Sequence, residues 1–425
     1  MLDQTFSEKN FLKLISKHEI IKFQLGRNKE DYLNRIRQEI NISSSSGILK
    51  ANFQKIKSIK SHSKKHKRVF SCNDLIMHLM LKKTALNVSR LYRINTHSRN
   101  EISSQVLRIL ENASEYNIIK IDIASFYENI PFSKLIKKLE EDKLLSQEAI
   151  DFLIHLSKEL KNNHNITGLP RGLSISPFLA EIYIRNFDEK MKSMPDIYYF
   201  SRYVDDIMIV TFNDIHNINN TINDELKLLS LASNQKSQLL ECPTVSGLTA
   251  NRKILELTYL GYKYQITNHH FQGKRTIKIL LSDKKVKKIK TRIMHSFLDY
   301  KFNQDKDLLL KRIKILAGNY PIYSPMANTM IHSGKLKSGI FYSNPLINQP
   351  GLFKEFNIFI QKLIYTNKHN FVAKVIKLLR NNHPNISLEL KKSEYDFHEG
   401  FKKKVFYDID INTMSKLKSC WKYKV

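Results

Sequence analysis

The sequence contains little cysteine, and none of it is arranged to bind a metal or to form disulfides. Its 425 residues include three cysteines, Cys72, Cys242 and Cys420, which lie far apart and form no Cys-x-x-Cys pair. This usage favours a reducing compartment and argues against a zinc site or a disulfide framework.

Two further absences concern targeting. The opening residues Met-Leu-Asp-Gln-Thr-Phe-Ser lack the basic lead and apolar core of a signal peptide. No apolar run approaches the length that is needed to cross a bilayer. We therefore expect a soluble, cytoplasmic protein with no membrane partner.

Acidic residues are scarce relative to basic ones. Seventy Lys and Arg against forty Asp and Glu leave a formal charge of +30. Such a charge repels itself in a compact fold, and a polyanion relieves the repulsion. Nucleic acid is the favoured partner, with a membrane surface or solubility alone as the alternatives. A hydrophobic fraction of 42% indicates a globular chain with a sizeable core.

Two adjacent acids interrupt the most regular apolar stretch, Tyr199-Phe-Ser-Arg-Tyr-Val-Asp-Asp-Ile-Met-Ile-Val-Thr211. The apolar and β-branched residues on both sides predict two strands joined by a tight turn at Asp205 and Asp206. Neighbouring carboxylates repel each other near a core, and a bound divalent cation removes that repulsion. The alternative is an exposed turn on an ordinary hairpin.

A third acid, Asp122, interrupts the predicted buried strand from Ile118 to Ile123. A carboxylate in that position needs a basic residue or a metal ion as its partner. If this strand neighbours the hairpin, the three acids meet at one edge of a sheet. They could then bind two divalent ions that stabilise the attacking and leaving oxygens of phosphoryl transfer.

Other segments suggest a surface for phosphates. The run from Lys55 to Arg68 predicts a basic hairpin that leads into a helix capped by Asn73 or Asp74. The loop 168–177 is rich in Gly, Pro and Ser and precedes a helix, so it allows close backbone approach. From residue 267 onward we expect a helical, basic region rich in Tyr and Phe. Residues 1–45 suggest helices to which no chemistry can be assigned.

The order of these features resembles the reverse transcriptases over about residues 60–266. Five motifs carry the resemblance: Asp122 with Phe126-Tyr127, Gly168-Leu-Pro-Arg-Gly172 with Ser176-Pro177, Tyr203-Val-Asp-Asp206, Asn234-Gln-Lys236, and Tyr259-Leu-Gly-Tyr262.

The resemblance implies an α+β right-hand fold with fingers, a palm whose antiparallel sheet is flanked by helices, and a helical thumb. It divides the chain into an N-terminal helical extension (1–50), fingers and palm (51–266), and a helical basic thumb and C-terminal region (267–425). It also implies an RNA-directed DNA polymerase that uses an RNA template, a DNA primer or product, and dNTPs.

The same resemblance implies roles for individual residues. Asp122, Asp205 and Asp206 would be catalytic and, with the backbone carbonyl of Ile123, would bind two Mg²⁺ ions or Mn²⁺, with Asp206 the weaker ligand. Lys236 would neutralise or protonate the leaving pyrophosphate. The expected nucleotide-binding residues are Lys67 and Arg68 (with Lys64 or Lys65 as alternatives), Tyr127, Arg171 and Gly172. The expected nucleic-acid-binding residues are Arg93, Arg99, Tyr203, Tyr259 and Gly261.

Two of these positions bear on substrate choice. In reverse transcriptases the ring at the position of Tyr127 stacks under the sugar and excludes a 2′-hydroxyl, which favours deoxynucleotides; a plain core role is the alternative. Arg171 stands where the family commonly has Gln. Its charge could bind a phosphate or a base edge, which leaves room for restricted or unusual synthesis.

Residues 2–11, Gly318-Asn-Tyr320 and Phe341-Tyr-Ser-Asn344 look like the bacterial defence-associated reverse transcriptases, and most like the first polymerase of the type 3 system. That resemblance implies an antiphage role, a non-coding RNA partner and a second reverse transcriptase subunit. Two alternatives stay open. One is template-independent or protein-primed DNA synthesis that starts from a tyrosine hydroxyl. The other is a maturase-like RNA-binding scaffold without chemistry, against which the intact set of three acids counts.

Overall fold

The structure is a computed structural model, and it describes residues 2–45, 48–49, 52–60, 68–95, 98–244, 254–322, 336–366 and 371–421. Contacts within the chain divide it into two compact units. Among the described residues, unit 1 comprises those up to Ser98 and Glu115–Cys242, and unit 2 comprises Arg99–Ser114 and those from Pro243 onward.

The helices and strands follow one another along the chain as α1 (Glu8–Leu14), α2 (Lys17–Phe23), α3 (Lys29–Ser43), β1 (Ser44–Ser45), β2 (Ile48–Leu49), β3 (Ile56–Lys60), β4 (Arg68–Cys72), α4 (Leu75–Leu91), α5 (Arg99–Leu110), β5 (Tyr116–Asp122), α6 (Phe126–Asn129), α7 (Phe132–Asp142), α8 (Gln147–His164), α9 (Ser176–Ser193), β6 (Tyr199–Tyr203), β7 (Asp206–Thr211), α10 (Ile215–Leu228), β8 (Gln238–Cys242), β9 (Leu255–Tyr259), β10 (Tyr262–Phe271), β11 (Lys274–Leu281), α11 (Asp283–Asn303), α12 (Lys306–Ala317), β12 (Asn319–Ile322), β13 (Leu336–Gly339), α13 (Lys354–Ile364), α14 (Phe371–Asn382), α15 (Ile386–Glu389), α16 (Phe397–Lys402) and α17 (Ile411–Lys418). Single 3₁₀ turns occupy Phe53–Lys55, Pro350–Phe353, Ser393–Tyr395 and Ser419–Trp421.

The centre of unit 1 is a four-stranded antiparallel sheet with the strand order β6-β7-β5-β8. Its inner strand β5 is paired on both sides, and its side chains Ile118, Ile119 and Ile121 are fully buried. β-Branched residues that alternate between two covered faces favour such a strand. The predicted α+β class, with an antiparallel sheet flanked by helices, is confirmed.

The predicted basic hairpin is β3 paired with β4, and the helix after it begins as expected. The side chain of Asp74 accepts a hydrogen bond from the backbone N–H of Met77, which makes it the N-cap of α4. This helix is buried along most of its length, and even Lys82 and Lys83 are only 4% exposed.

The first residues of the chain are fixed to α4 in unit 1. The Lys82 ammonium donates to the carbonyl of Leu14 at 2.6 Å, and Lys83 donates to the carbonyl of Asp3 at 2.6 Å. Phe6 and Phe11 are buried in the same core. Residues that suggested no chemistry in the sequence therefore contribute to the core of this unit.

Unit 2 contains a three-stranded antiparallel sheet with the order β11-β10-β9, followed by helices. The prediction that the chain is helical from residue 267 is therefore wrong for the stretch up to Leu281, and also for β12 and β13, which pair as a two-stranded antiparallel sheet. In β11 the inward residues Ile277, Ile279 and Leu281 alternate with more exposed ones, which is the period of a strand rather than of a helix. Within the described ranges, no helix has both the length and the hydropathy required to span a membrane.

Candidate active site

The sheet places the three acids of the sequence motifs at one end of two neighbouring strands. Asp122 is the last residue of β5 and lies opposite Asp206, the first residue of β7. Asp205 lies in the turn before β7, and its carbonyl accepts a hydrogen bond from the N–H of Ile123 at 2.9 Å. The antiparallel register thus brings together residues that are more than eighty positions apart in the sequence.

A lysine that the sequence analysis did not select lies among these acids. The Lys120 ammonium is 3.2 Å from Oδ1 of Asp206 and is almost fully buried. Burial raises the pKa of Asp206, Lys120 opposes this shift, and the charges of Asp205 and Asp122 add to it. Because residues two apart in a strand share a face, the position of Lys120 before Asp122 was the available signal.

The donor set is of the kind that divalent cations prefer, namely carboxylates with a nearby backbone carbonyl. Even so, in the part of the chain that the structure describes, no group of three or more His, Cys, Asp or Glu side chains is placed to hold a metal ion. The backbone therefore brings the acids to one edge, while the carboxylate of Asp206 is turned towards Lys120. Ligation would require the acid side chains to rearrange.

The turn that carries Asp205 is stabilised by a buried arginine. Val204 has a left-handed backbone with φ of 59°, which is unfavourable for a β-branched residue. Nη1 of Arg202 donates to the Val204 carbonyl at 3.0 Å. The same guanidinium contacts the carboxylates of Glu181 and Asp188 on α9, each at 2.6 Å from Nη2. Sequence reasoning missed this group because its members are separated along the chain.

The fourth motif lies against the backbone around Asp122. The N–H of Asn234 donates to the carbonyl of Asp122 at 2.9 Å, and the N–H of Ala124 donates to the carbonyl of Ala232 at 2.8 Å. Lys236 follows in this loop and is exposed. The predicted lysine is therefore on a segment that is hydrogen-bonded to the end of β5.

The second motif is a loop that is hydrogen-bonded on one side to Tyr127 and on the other side to β4. The N–H of Leu169 donates to the carbonyl of Tyr127 at 2.8 Å, and the N–H of Phe70 donates to the carbonyl of Arg171 at 2.7 Å. A Cβ on Gly172, whose φ is +102°, would lie 2.5 Å from the Phe70 carbonyl oxygen. Glycine is required there both by the backbone angle and by the close approach.

Tyr127 and Arg171 are in contact. The ring of Tyr127 is 9% exposed, and burial raises the pKa of its hydroxyl. The guanidinium carbon of Arg171 lies 5.0 Å from the ring centroid. Arg171 also forms a two-point ion pair with Glu128, with both hydrogen bonds at 3.1 Å. Glu128 was not selected from the sequence.

A cavity of about 420 Å³ lies beside this pair and is lined by Arg68, Phe70, Ser125, Glu128, Gly168 and Arg171, among others. Arg68 is exposed at the start of β4 and donates a hydrogen bond to the carbonyl of His164. Its expected neighbour Lys67, and the alternatives Lys64 and Lys65, lie outside the described residues.

Two of the expected nucleic-acid contacts are also in unit 1. Tyr203 lies opposite Asp206 in the sheet and is 37% exposed. Arg93 is exposed just after α4 and has a left-handed backbone with φ of 46°. Tyr203 is therefore next to the acids in the sheet, and Arg93 is on the surface of the same unit.

The remaining expected contacts, Arg99, Tyr259 and Gly261, are in unit 2, around the turn between β9 and β10. Gly261 has φ of +80°, and a Cβ on it would lie 2.4 Å from Cε of Lys285. The Arg99 guanidinium and the Lys285 ammonium lie 5.4 and 4.9 Å from the centroid of the Tyr262 ring. Tyr259 is buried at the end of β9.

Lys285 is the residue of this group that the sequence analysis missed. It donates to Oδ1 of Asn344 at 2.6 Å. Burial, together with the positive charges of Arg99 and Lys288, lowers the pKa of Lys285 to about 7. Two cations that face one aromatic ring would be stabilised by an anion.

Comparison with protein families identifies the family of this chain. The family model described as reverse transcriptase (RNA-dependent DNA polymerase) matches residues 50–264, which is half of the chain. The chain belongs to the reverse transcriptase family and is, by that membership, an RNA-directed DNA polymerase. This family generally uses divalent metal ions. Among curated proteins, none matches the chain.

Similar solved structures include telomerases. Apo telomerase from Candida tropicalis shares 12% identity over 91% of this chain and 68% of its own, with a TM-score of 0.39. Telomerase from Candida albicans, in complex with a TWJ fragment of telomeric RNA, shares 15% identity over 92% of this chain and 67% of its own, with a TM-score of 0.35. TM-scores below 0.5 do not establish a shared fold, so the family assignment rests on the family match.

Proposed function

We propose that this reverse transcriptase copies an RNA template into DNA by two-metal nucleotidyl transfer at the shared end of β5 and β7. The observation that carries the proposal is the register of Asp122 opposite Asp206, with Asp205 in the turn between β6 and β7. Magnesium ions, or manganese, would supply the charge that stabilises the attacking 3′ oxygen and the leaving phosphate oxygens.

The chain's own groups have distinct roles in this proposal. Asp122, Asp205 and the carbonyl of Ile123 would hold the ions. Asp206, whose carboxylate also pairs with Lys120, would be the weaker ligand. Lys236 offsets the charge of the departing pyrophosphate from its loop beside Asp122.

The nucleotide is oriented by the neighbouring basic and aromatic residues. Arg68, Arg171 and the backbone at Gly172 face the triphosphate, with Lys67 as a further cation. Tyr127 lies under the sugar and excludes a 2′-hydroxyl, so that dNTPs are the substrates.

The large positive charge supports a nucleic-acid partner. We assign contacts with template, primer and product to Arg93 and Tyr203 in unit 1 and to Arg99, Tyr259 and Gly261 in unit 2. Fingers and palm would correspond to residues 51–266 and the thumb and C-terminal region to residues 267–425, with 1–50 as an extension.

We further propose a bacterial cytoplasmic protein of antiphage defence that uses a non-coding RNA template and acts with a second reverse transcriptase subunit. This part rests on the sequence resemblance at residues 2–11 and 318–344. Expression in a phage-sensitive bacterium together with its neighbouring genes tests it, since an Asp205→Asn/Asp206→Asn variant should lose protection. Equal protection by the variant contradicts a defence role that depends on synthesis.

The template is tested with purified protein and the RNA that copurifies with it. Incorporation of each dNTP and NTP is measured singly and together with Mg²⁺, for the wild type and for Asp205→Asn/Asp206→Asn. We expect incorporation of dNTPs that is lost in the variant and after RNase treatment. Incorporation that survives RNase would instead indicate template-independent synthesis, and DNA that leaves the protein phase only after proteolysis would indicate a protein primer.

A further inference from the structure

The ion pair between Arg171 and Glu128 joins the second motif loop to the residue that follows Tyr127. Nε and Nη2 of Arg171 each donate to a different oxygen of Glu128 at 3.1 Å. The side chains are 27% and 33% exposed, so the pair is partly shielded from solvent. A fork-to-fork geometry of this kind fixes the orientation of both groups more strongly than a single contact does.

The backbone on each side of the pair is fixed as well. The loop is bound to the Tyr127 carbonyl through Leu169 and to β4 through the Arg171 carbonyl. A Cβ on Gly168 would lie 2.1 Å from the carbonyl oxygen of Glu128, which shows how closely the two segments approach. The hydroxyl of Ser176 donates to the carbonyl of Pro170 at 2.6 Å and closes the loop. The ion pair thus forms between two segments whose separation is already set.

The guanidinium that Glu128 orients is the group that covers Tyr127. Its carbon lies 5.0 Å from the centroid of the Tyr127 ring, and Phe126 packs against the same ring edge-on at 5.5 Å. Glu128 balances the charge of Arg171 in this position, beside a cavity that Arg68 also lines. A chain of contacts therefore leads from Glu128 through Arg171 to the Tyr127 ring.

We propose that Glu128 is a positioning residue which, through Arg171, holds the ring of Tyr127 in place and thereby sets the preference for dNTPs over NTPs. The proposal rests on the role given above to Tyr127 in excluding a 2′-hydroxyl. A glutamine at position 171 would reach Glu128 with a single neutral donor group and would place no charge over the ring, so it would fix the ring less firmly.

The test is the ratio of kcat/KM for a dNTP to that for the matching NTP on one primed RNA template. The variants are Glu128→Gln, Arg171→Gln, the double variant, and Arg171→Lys. Glu141→Gln, which removes the exposed pair with Lys137, is the matched control, and Tyr127→Ala shows the size of the full effect. Thermal melting of each variant identifies any loss of folding.

We expect Glu128→Gln and Arg171→Gln each to lower the ratio about tenfold, with the double variant no worse than either single one, because they break the same contact. Arg171→Lys should also lower it, since lysine cannot form the two-point pair. Glu141→Gln should leave it unchanged. If Glu128→Gln fails to fold, Arg171→Lys still tests the proposal, because it keeps the positive charge and loses only the two-point pair.

Three results would overturn the inference. One is an unchanged ratio in Glu128→Gln and Arg171→Gln when Tyr127→Ala lowers it. Another is a rise in KM that is equal for dNTP and NTP, which would make Arg171 a phosphate contact only. The third is an unchanged ratio in Tyr127→Ala, which removes the sugar-selecting role itself. Failure of the proposed function would look different, because the wild type would incorporate no dNTP at all.

Discussion

At the scale of single residues, the buried cation Arg202 connects α9 to the turn that carries Asp205. Its guanidinium pairs with Glu181 and Asp188 and donates to the Val204 carbonyl. Burial alone would lower the pKa of Arg202, but the bonds to the two carboxylates outweigh it and raise the pKa. Its side chain is only 4% exposed, so its charge is compensated by protein groups rather than by water.

Replacing this arginine should affect both stability and synthesis. Arg202→Met leaves two carboxylates unpaired and the strained Val204 turn without its donor, so we expect a loss of about 3–5 kcal/mol in the free energy of unfolding. Incorporation per folded molecule should also fall, because Asp205 loses its support. Urea unfolding and primer extension measure the two effects.

The control for that variant is Lys190→Met, which removes the more exposed pair with Glu225 in the same unit. Such a pair contributes about 1 kcal/mol or less. Equal losses of stability in the two variants would show that the Arg202 group has no special role.

Lys285 gives a prediction about pH. Because burial, with Arg99 and Lys288, lowers the pKa of Lys285 from 10.5 to about 7, the unfolded chain binds a proton between these values that the folded chain does not. Folding is therefore penalised most below pH 7, and the penalty shrinks as the pH rises towards 10. The Tm of Lys285→Met minus that of the wild type should be nearly constant below pH 7 and should fall from about pH 7 towards pH 10.

Lys284→Met, one residue away on the exposed side of α11, is the matched control. Two results would contradict this explanation of Lys285. One is a Tm difference for Lys285→Met that does not change with pH, and the other is an equal pH dependence in Lys284→Met.

At the scale of elements, α2 is attached to α4 by a buried ionic cluster. Glu19 is fully buried, and its carboxylate contacts Nε2 of His78 and the ammonium of Lys82, both at 3.1 Å. Burial alone would raise the pKa of Glu19, but the hydrogen bond from His78 and the charge of Lys82 outweigh it and lower the pKa. The N-terminal helices are therefore part of the folded core of unit 1.

Removing the acid from this cluster should destabilise unit 1 strongly. Glu19→Ala leaves Lys82 as a buried, uncompensated charge, and we expect a loss of about 3–5 kcal/mol in the free energy of unfolding by urea titration. Since the folded pKa of Glu19 is depressed, its contribution is fully present above pH 4.5 and is lost as the pH falls below that value.

The comparison variant is Glu8→Ala, whose carboxylate pairs with Arg37 at the surface and should contribute about 1 kcal/mol or less. If Glu19→Ala were no more destabilising than Glu8→Ala, the N-terminal helices would not be part of the core.

The elements around the acids could be predicted because their signal is local. Apolar residues flank Asp122, Asp205 and Asp206, and a strand-turn-strand pattern needs no knowledge of distant residues. Strand β11 was missed, although Ile277, Ile279 and Leu281 alternate, because lysines and arginines elsewhere in this region suggested a helical surface. Contacts such as Arg171 with Glu128 could not be predicted, since 43 positions separate the two side chains.

At the scale of the whole molecule, the charge of +30 should make the affinity for nucleic acid depend strongly on salt concentration. Basic residues that neutralise phosphates release counterions, so affinity for nucleic acid falls linearly with salt on logarithmic axes. For roughly 6–10 phosphate contacts, binding of an RNA duplex should weaken by about 10³–10⁵ between 50 and 200 mM salt. Fluorescence anisotropy across that range measures it, and a nearly constant Kd would argue against a charge-driven interface.

The central claim is that the acids at the end of β5 and β7 perform metal-dependent DNA synthesis, and primer extension on a defined RNA template tests it most directly. Asp122→Asn and Asp205→Asn should lower Mg²⁺-dependent dNTP incorporation by about 10³ or more, with a smaller loss for Asp206→Asn, while RNA binding is retained. Asp224→Asn, an exposed acid of the same unit, should behave as the wild type. Incorporation that persists in Asp122→Asn or Asp205→Asn would contradict the account.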